Sequence, residues 1–247
     1  MIETRGLSKL FQDKKRGQIR AVDNVSFRCT PGQIYGLLGA NGAGKTTTLR
    51  MLATILEPTE GDATVCGYDV IEQPEKVRAN VGFLSTATAL YPRLTARETI
   101  EFFARVNGCA DGTVRDRVES LIARFGIGSY ADARVDKLSQ GMKQKVSIAR
   151  TVVHDPPVLI FDEPTVGLDV LNALEMQKLI SEFRAEGKTI IFSTHIMSEA
   201  EKLCDRIAII HQGKIHACDT LANLRAATGE HYLENIFVQY VERATTA

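Results

Sequence analysis

The sequence predicts an α/β protein in which a mostly parallel sheet is preceded by antiparallel strands and interrupted by a helical insertion. Short apolar runs at 158–161, 189–192 and 207–210 have the length and composition of buried parallel strands. Helical patterns alternate with these runs, and the stretch from 95 to 154 is helical in pattern. Residues 2–29 have the pattern of antiparallel strands joined by a polar turn, whereas the later strands alternate with helices as in a parallel sheet.

The composition is that of an ordinary globular protein. The chain has 247 residues, 44% apolar and 24% charged, enough for one large domain or for one domain with an insertion. Its 30 basic and 30 acidic residues cancel, which gives no general attraction to nucleic acid or to an anionic membrane. The apolar runs are far shorter than a bilayer span, and no signal peptide follows Met1. Five scattered cysteines without metal-ligand spacing predict reduced thiols in a cytosolic protein, which only a partner would bring to a membrane.

Residues 1–85 are predicted to form the first part of the core, with antiparallel strands and then a short apolar strand at 33–38. Phe11 lies in the antiparallel part, and two interpretations of it stay open. It is either a core aromatic residue or a platform on which an adenine ring stacks. A helix is predicted to follow the apolar strand, from about residue 44 to residue 53.

The link between that strand and that helix is Gly39-Ala40-Asn41-Gly42-Ala43-Gly44-Lys45-Thr46, which has the spacing of a phosphate-binding loop. Glycines allow consecutive backbone N–H groups to point at one anion, and the helix N-terminus adds partial positive charge. Lys45 supplies a full charge for the terminal phosphates, and Thr46 offers a hydroxyl to a magnesium ion that bridges them. The loop therefore predicts a site for a nucleoside triphosphate with Mg²⁺, made by Gly39, Asn41, Gly42, Ala43, Gly44, Lys45, Thr46 and Thr47.

Residues 86–155 are predicted to form a helical subdomain inserted into the core. Thr95 and Glu98 have capping-box spacing at the start of its first helix. Apolar residues from 114 to 125 then recur at the spacing of one face of a second helix. Ser139 is suited to cap a third helix.

Residues 156–217 are predicted to return to the core and to carry its acidic residues. Asp162 and Glu163 directly follow the apolar strand at 158–161, and ligands of an open α/β sheet lie at the carboxyl ends of its strands. This position would place Asp162 beside Thr46 and the magnesium, with Glu163 near a water at the terminal phosphate. The competing interpretation is a solvated loop, which is where two adjacent acidic residues usually lie.

His195 follows another apolar strand and is expected at the same edge of the sheet. Its spacing leaves two interpretations open. One is a structural histidine, and the other is a neutral imidazole that bonds the terminal phosphate and the attacking water.

Residues 218–247 are predicted to form a helical tail. Apolar residues from Leu233 to Val241 have helical spacing. The helix is expected to pack on the core, and a partner-binding surface is the alternative.

Five motifs in one order cover essentially the whole chain. The phosphate loop at 39–46 is followed by Leu138-Ser139-Gln140-Gly141-Met142, the acidic strand end at 158–163, Gly167-Leu168-Asp169 and His195. In this order and spacing the sequence resembles the ATP-binding cassette (ABC) ATPases. In that family these are the Walker A, signature, Walker B, D-loop and switch-histidine motifs. The resemblance implies a RecA-like P-loop NTPase core with an N-terminal antiparallel β subdomain and an inserted α-helical subdomain.

The resemblance also implies roles for the residues of the hydrolytic centre. Lys45 would bind the β- and γ-phosphates of ATP, while Thr46 and Asp162 would hold Mg²⁺. Glu163 would be the general base, and His195 would detect the γ-phosphate. Lys45, Glu163 and His195 are thus the expected catalytic residues.

Other residues would complete the ATP site. Phe11 would stack on adenine, and Asp169 would contribute from the D-loop. Ser139 and Gly141 would close over the ATP of a second copy, so the family's active form is a head-to-tail homodimer with two sandwiched nucleotides.

Two departures from the family pattern affect these expectations. Gln140 and Met142 replace the third and fifth residues of the usual signature, although Ser139 and Gly141 are kept. Thr86 stands where the family usually has the glutamine of the Gln loop. Since threonine is shorter, we expect it to reach magnesium through a water if at all.

Together, the two departures resemble bacterial sodium-exporter ATPase subunits, and the closing stretch at 233–237 is typical of export-type cassettes. They predict an ATP-hydrolysing subunit of an exporter, with Na⁺ as a candidate cargo, which drives a separately encoded transmembrane permease from the cytoplasmic face of the membrane. Direct contact with nucleic acid or lipid is not expected. A soluble ABC ATPase that acts on ribosomes or DNA is the main competing hypothesis, and an unrelated P-loop kinase or GTPase is the second.

Overall fold

The computed structural model describes residues 1–13, 17–85 and 90–246. Within these ranges the first strands form a four-stranded antiparallel sheet in the order β2-β1-β4-β5. The predicted antiparallel start is therefore confirmed. The strands of this sheet are β1 (Ile2–Asp13), β2 (Gly17–Cys29), β4 (Glu60–Val65) and β5 (Tyr68–Asp69).

The second sheet has six strands in the order β10-β9-β3-β8-β7-β6. Five of them are parallel neighbours, and β10 pairs antiparallel with β9 across a turn at 212–213. These strands are β3 (Ile34–Leu38), β6 (Val81–Ser85), β7 (Val158–Asp162), β8 (Thr189–Thr194), β9 (Arg206–His211) and β10 (Lys214–Asp219). The strand that precedes the phosphate loop, β3, lies between β8 and β9, which come much later in the sequence.

Helices cover the parallel sheet. Those in the described ranges are α1 (Lys45–Leu52), α2 (Pro74–Ala79), α3 (Ala96–Val106), α4 (Asp111–Arg124), α5 (Gln140–Val152), α6 (Val170–Ala185), α7 (Met197–Leu203), α8 (Leu221–Thr228) and α9 (Leu233–Thr246). The helices α3, α4 and α5 come between β6 and β7, as the helical pattern predicts. The capping box is present, because the Thr95 hydroxyl accepts from the N–H of Glu98 and the Glu98 carboxylate accepts from the N–H of Thr95. The limits of the four predicted parts remain predictions.

Three apolar clusters hold these layers together. Alternate residues of β7 point to opposite faces of the sheet, so Phe161 packs toward α3 to α6 while Ile160 packs toward α1 and the antiparallel sheet. A third cluster buries Leu233 and Ile236 of α9 against β9. The C-terminal helix thus packs on the core, as expected. None of the helices in the described part of the chain is long and apolar enough to cross a membrane.

Candidate active site

The phosphate loop is held in place by close backbone packing against β2 and the turn between β9 and β10. Every residue of β3 is buried, and α1 begins directly after Gly44, whose φ of 105° lies in the left-handed region. A Cβ on Gly44 would approach the carbonyl oxygen of Ala21 to 2.6 Å, so only glycine fits there. The N–H of Gly213, in the turn between β9 and β10, donates to the carbonyl of Ala43 at 2.9 Å. The turn therefore supports the loop.

A cleft of about 370 Å³ opens above this loop. It brings together most of the residues that the phosphate-loop motif predicts. The described residues that line it are Ala21, Asn41, Gly42, Gly44, Lys45, Thr46, Thr47 and Glu163. Glu163 is distant in sequence from the others, so the sheet places it there.

Lys45 is buried at the base of the cleft, with 4% of its surface exposed. Its ammonium group donates to the carbonyls of Gly39 at 2.7 Å and Ala40 at 3.1 Å. It also lies 3.0 Å from a carboxylate oxygen of Glu163. These contacts fix a full positive charge beside the N-terminus of α1, where an anion is favoured.

Asp162 ends β7 between two serines that the sequence interpretation did not include. Strand register places it opposite Ser85 of β6 and Ser193 of β8. The Ser193 hydroxyl donates to Oδ1 at 2.8 Å, and the Ser85 hydroxyl donates to Oδ2 at 3.3 Å. The Thr46 hydroxyl donates to Oδ1 at 3.0 Å, so Thr46 and Asp162 are together as expected. Both serines end strands, but only knowledge of the strand order would have selected them.

Glu163 has an unusual backbone with a φ of 50°. Its N–H donates to the Ser193 hydroxyl at 3.0 Å, and its carboxylate lies 3.3 Å from Nδ1 of His195. Burial works to raise the pKa of Glu163, but the hydrogen bond and charge of Lys45, with a contribution from His195, outweigh burial and lower it. The carboxylate is therefore ionised at neutral pH, the form that a general base requires.

The oxygen ligands at the cleft fit a magnesium ion. Mg²⁺ prefers oxygen, and it is usually held by one or two carboxylates together with substrate phosphates and waters. Thr46 and Asp162 offer such a hydroxyl and carboxylate side by side. In residues 1–13, 17–85 and 90–246, no group of three or more His, Cys, Asp or Glu could hold a metal. A magnesium ion held by Thr46 and Asp162 would take its remaining ligands from the phosphates of a nucleotide and from waters.

The remaining predicted residues lie outside the set that lines the cleft. Ser139 is exposed and caps α5 by accepting from the N–H of Met142, and Gly141 follows in the first turn. Phe11 is 37% exposed on β1. Asp169 caps α6 by accepting from the N–H of Asn172.

The expected roles of Phe11, Ser139, Gly141 and Asp169 stay predictions. Thr86, the residue at the Gln-loop position, lies outside the described residues. The expectation that threonine reaches magnesium only through a water also stays a prediction.

Comparison with known proteins identifies the family. A family model for ABC transporters matches residues 22–166, which is more than half of the chain. The chain belongs to the ABC transporter family. The ABC transporter ATP-binding protein NatA of Bacillus subtilis (strain 168) is 42% identical over 98% of this chain and 99% of its own length. Nod factor export ATP-binding protein I of Paraburkholderia xenovorans (strain LB400) is 43% identical over 81% of this chain and 66% of its own length.

Solved structures of ABC proteins have the same fold. The ATP-binding subunit of an ABC transporter superposes with a TM-score of 0.87 at 30% identity, over 98% of this chain and 99% of that one. The dimeric structure of MJ0796, a bacterial ABC transporter cassette, superposes with a TM-score of 0.80 at 25% identity, over 89% of this chain and 98% of that one. The predicted α/β P-loop fold is confirmed, and the chain is an ATP-binding ABC ATPase.

Proposed function

We propose that this ABC ATPase powers a separately encoded transmembrane permease and that the pair exports its cargo. The observation that carries the proposal is the cleft, where Lys45, Thr46, Asp162 and Glu163 meet while the signature residues remain outside it. Such a site hydrolyses ATP only when another surface covers the nucleotide. Export is supported by the similarity to a Nod factor export protein, and Na⁺ is a candidate cargo from the sequence resemblance to sodium exporters.

Each residue of the cleft has a chemical task in this proposal. Lys45 and the loop N–H groups bind the phosphates of ATP, and Thr46 and Asp162 would hold Mg²⁺. When bound, magnesium supplies positive charge that stabilises the phosphate oxygens. Glu163 takes the proton of the attacking water, and His195 holds the Glu163 carboxylate and contacts the γ-phosphate.

The rest of the site comes from a second copy. Ser139 and Gly141 lie at the exposed start of α5, where they can donate to the γ-phosphate held by the opposite cleft. The dimeric structure of MJ0796 supports a two-copy assembly. Phe11 would stack on adenine, and Asp169 would complete the site from the D-loop. The dimer would lie on the cytoplasmic face of the membrane through its permease, without contact to nucleic acid.

Nucleotide-dependent dimerisation tests this proposal directly. Glu163→Gln keeps the shape of the side chain but removes the base, so hydrolysis should slow by roughly 10²–10⁴-fold. By light scattering we expect this variant to be monomeric without nucleotide, dimeric with ATP and magnesium, and monomeric with ADP. Adding Ser139→Arg should prevent the dimer by placing bulk and charge against the opposite phosphate.

The exposed residue Glu234 provides a matched control, since Glu234→Gln makes the same chemical change far from the cleft. That variant should hydrolyse ATP like the wild type. A Glu163→Gln protein that stays monomeric at millimolar ATP, or a double variant that still dimerises, contradicts the two-copy site. Co-purification of the native chain with a permease, followed by ATP-driven movement of radioactive sodium in vesicles, tests the partner and the cargo.

A further inference from the structure

The start of the signature helix α5 lies directly against the start of α6. A Cβ added to Gly141 would be 2.6 Å from Oδ1 of Asn172 and 2.9 Å from its Cγ and Nδ2. Real Cβ atoms essentially never come so close to another heavy atom. A contact within the same chain therefore requires glycine at position 141, because the amide of Asn172 fills the space that a side chain would need.

The amide of Asn172 cannot easily swing away, because it is bonded to the D-loop. Its Nδ2 donates to one carboxylate oxygen of Asp169, and its backbone N–H donates to the other at 3.0 Å. These two hydrogen bonds lower the pKa of Asp169, and the bond from the backbone N–H contributes more than the bond from the side-chain amide. Asn172 thus touches the signature motif on one side and the D-loop aspartate on the other.

Two further contacts join the same face of α5 to the same segment. Nε2 of Gln144 donates to the carbonyl of Pro164 at 2.8 Å, directly after Glu163. Lys145 forms an ion pair with Glu175 of α6 at 2.8 Å. Residues 141, 144 and 145 are three and four positions apart, so they lie on one face of the helix. The signature helix is therefore tied to the chain's own Walker B, D-loop and α6 segment.

We propose that Asn172 is a positioning residue that couples the signature motif to the D-loop of the same chain. The proposal rests on the two-copy site proposed above. When the partner's ATP engages Ser139 and Gly141, the contact with Asn172 carries the displacement to Asp169. The hydrogen bond from Gln144 to Pro164 carries the same displacement to the segment directly after Glu163. Closure over one nucleotide is in this way transmitted to the other through packed and hydrogen-bonded groups.

A rescue experiment tests this coupling. Gly141→Ala should lower kcat for ATP hydrolysis at least about tenfold, because the new methyl group displaces Asn172. The Kd for ATP of the monomer should stay within about twofold, since the cleft around Lys45 is untouched. Asn172→Ala alone removes the link to Asp169 without causing a collision, so it should lower kcat less than Gly141→Ala does, by about threefold. The double variant should be at least about half as active as Asn172→Ala alone, and therefore more active than Gly141→Ala.

Gly112 supplies the matched control. It is the second residue of α4, as Gly141 is of α5, but a Cβ there would meet nothing within 4 Å. Gly112→Ala should leave kcat unchanged, and its melting temperature should not fall, because alanine is the better helix former. If the double variant is no more active than Gly141→Ala, or if Gly141→Ala is as active as Gly112→Ala, the coupling role is overturned.

Asn172→Asp tests the same idea without a steric change. It keeps the shape against Gly141 but replaces the amide donor with a second carboxylate beside Asp169, so kcat should fall at least about fivefold with an unchanged Kd for ATP. Asn223 is its control, because it holds the equivalent third position of α8 and donates from Nδ2 to Asp219. Asn223→Asp should hydrolyse ATP like the wild type.

Wild-type kcat in Asn172→Asp would overturn the proposal even if Gly141→Ala failed to fold. Failure of the two-copy site would show instead in the Glu163→Gln protein, which carries none of these changes.

Discussion

The two sides of the proposed ATP site are fixed by different means. Lys45 and Asp162, on the cleft side, are 4% and 3% exposed. Asp162 ends the buried strand β7, and Lys45 follows the loop after the buried strand β3, which is separated from β7 only by β8. Ser139, on the signature side, is an exposed cap at the start of a helix. Parallel strand pairing brings residues that are distant in sequence together within one chain, whereas the exposed start of α5 presents its groups to the outside. The cleft is therefore assembled in the monomer, and the signature needs a second surface.

The largest effect should come from removing the buried charge of the cleft. Lys45→Ala deletes the group that faces the phosphates and leaves Glu163 without its nearest cation, so hydrolysis should fall at least about 10³-fold. ATP affinity in a calorimetric titration should weaken strongly while the fold is retained. Lys178→Ala is the control, because that lysine is 80% exposed and should not matter. Unchanged ATP affinity in Lys45→Ala would break the assignment of the cleft.

A smaller effect is expected where a support residue is removed. Ser193→Ala deletes the hydroxyl that donates to Asp162 and accepts from the N–H of Glu163. We expect kcat to fall about tenfold, which corresponds to about 1.4 kcal/mol, with a lower melting temperature. Ser181→Ala removes an exposed hydroxyl on α6 and should change neither quantity. Equal behaviour of the two variants would show that Ser193 does not hold the acidic pair.

Ser139→Ala sharpens the contrast because it should leave the cleft side unaffected. Loss of the cap of α5 should cost about 1 kcal/mol in the free energy of unfolding. The affinity of the monomer for ATP should stay within about twofold, because Ser139 lies outside the cleft. A calorimetric titration at low protein concentration measures this. Weak ATP binding comparable to that of Lys45→Ala would mean that one chain completes its own site.

The smallest effect is expected at His154, which belongs to neither the cleft side nor the signature side of the ATP site and should change only the pH dependence of stability. Nε2 of His154 donates to the Val81 carbonyl, and Nδ1 is buried without a hydrogen-bond partner among the described residues. Burial is the main cause of a lowered pKa of His154 in the fold. The unfolded chain therefore binds a proton more readily, so this contribution to stability is complete above the ordinary histidine pKa and is lost as the pH falls through the folded value.

Melting temperatures measured between about pH 7 and about pH 5 test this prediction. His154→Gln keeps a donor for Val81 and should show a shallower fall than the wild type. Substitution of the exposed His231 by Gln should leave the wild-type slope unchanged. A wild-type slope in His154→Gln would contradict the assignment.

Local patterns in the sequence predicted the parts of the fold that local physics decides. The phosphate loop, the capping box at Thr95, the cap at Ser139 and the apolar strand before Asp162 depend on residues close together in the chain. The helix α7 between β8 and β9 was not predicted, because its seven residues are too few to show a clear period.

Other parts of the site depend on which strands become neighbours. Ser85 and Ser193 matter because β6 and β8 flank β7, and the Gly213 contact exists because β9 lies beside β3. Asn172 touches Gly141 because two helices meet. Neither composition nor spacing shows which strands pair or which helices pack together, so these contacts could not be predicted from the sequence.

The position of β3 has a consequence for biosynthesis. Ile34 pairs with Ile190 and Tyr35 pairs with Arg206, so both neighbours of the strand before the phosphate loop leave the ribosome long after it. A nascent chain that ends before β8 contains the whole Walker A sequence but lacks both strands that flank β3. ATP stabilises only chains that can bind it, so it cannot rescue early folding intermediates. The phosphate loop is synthesised early, but its supporting sheet is completed only when β8 and β9 have been made.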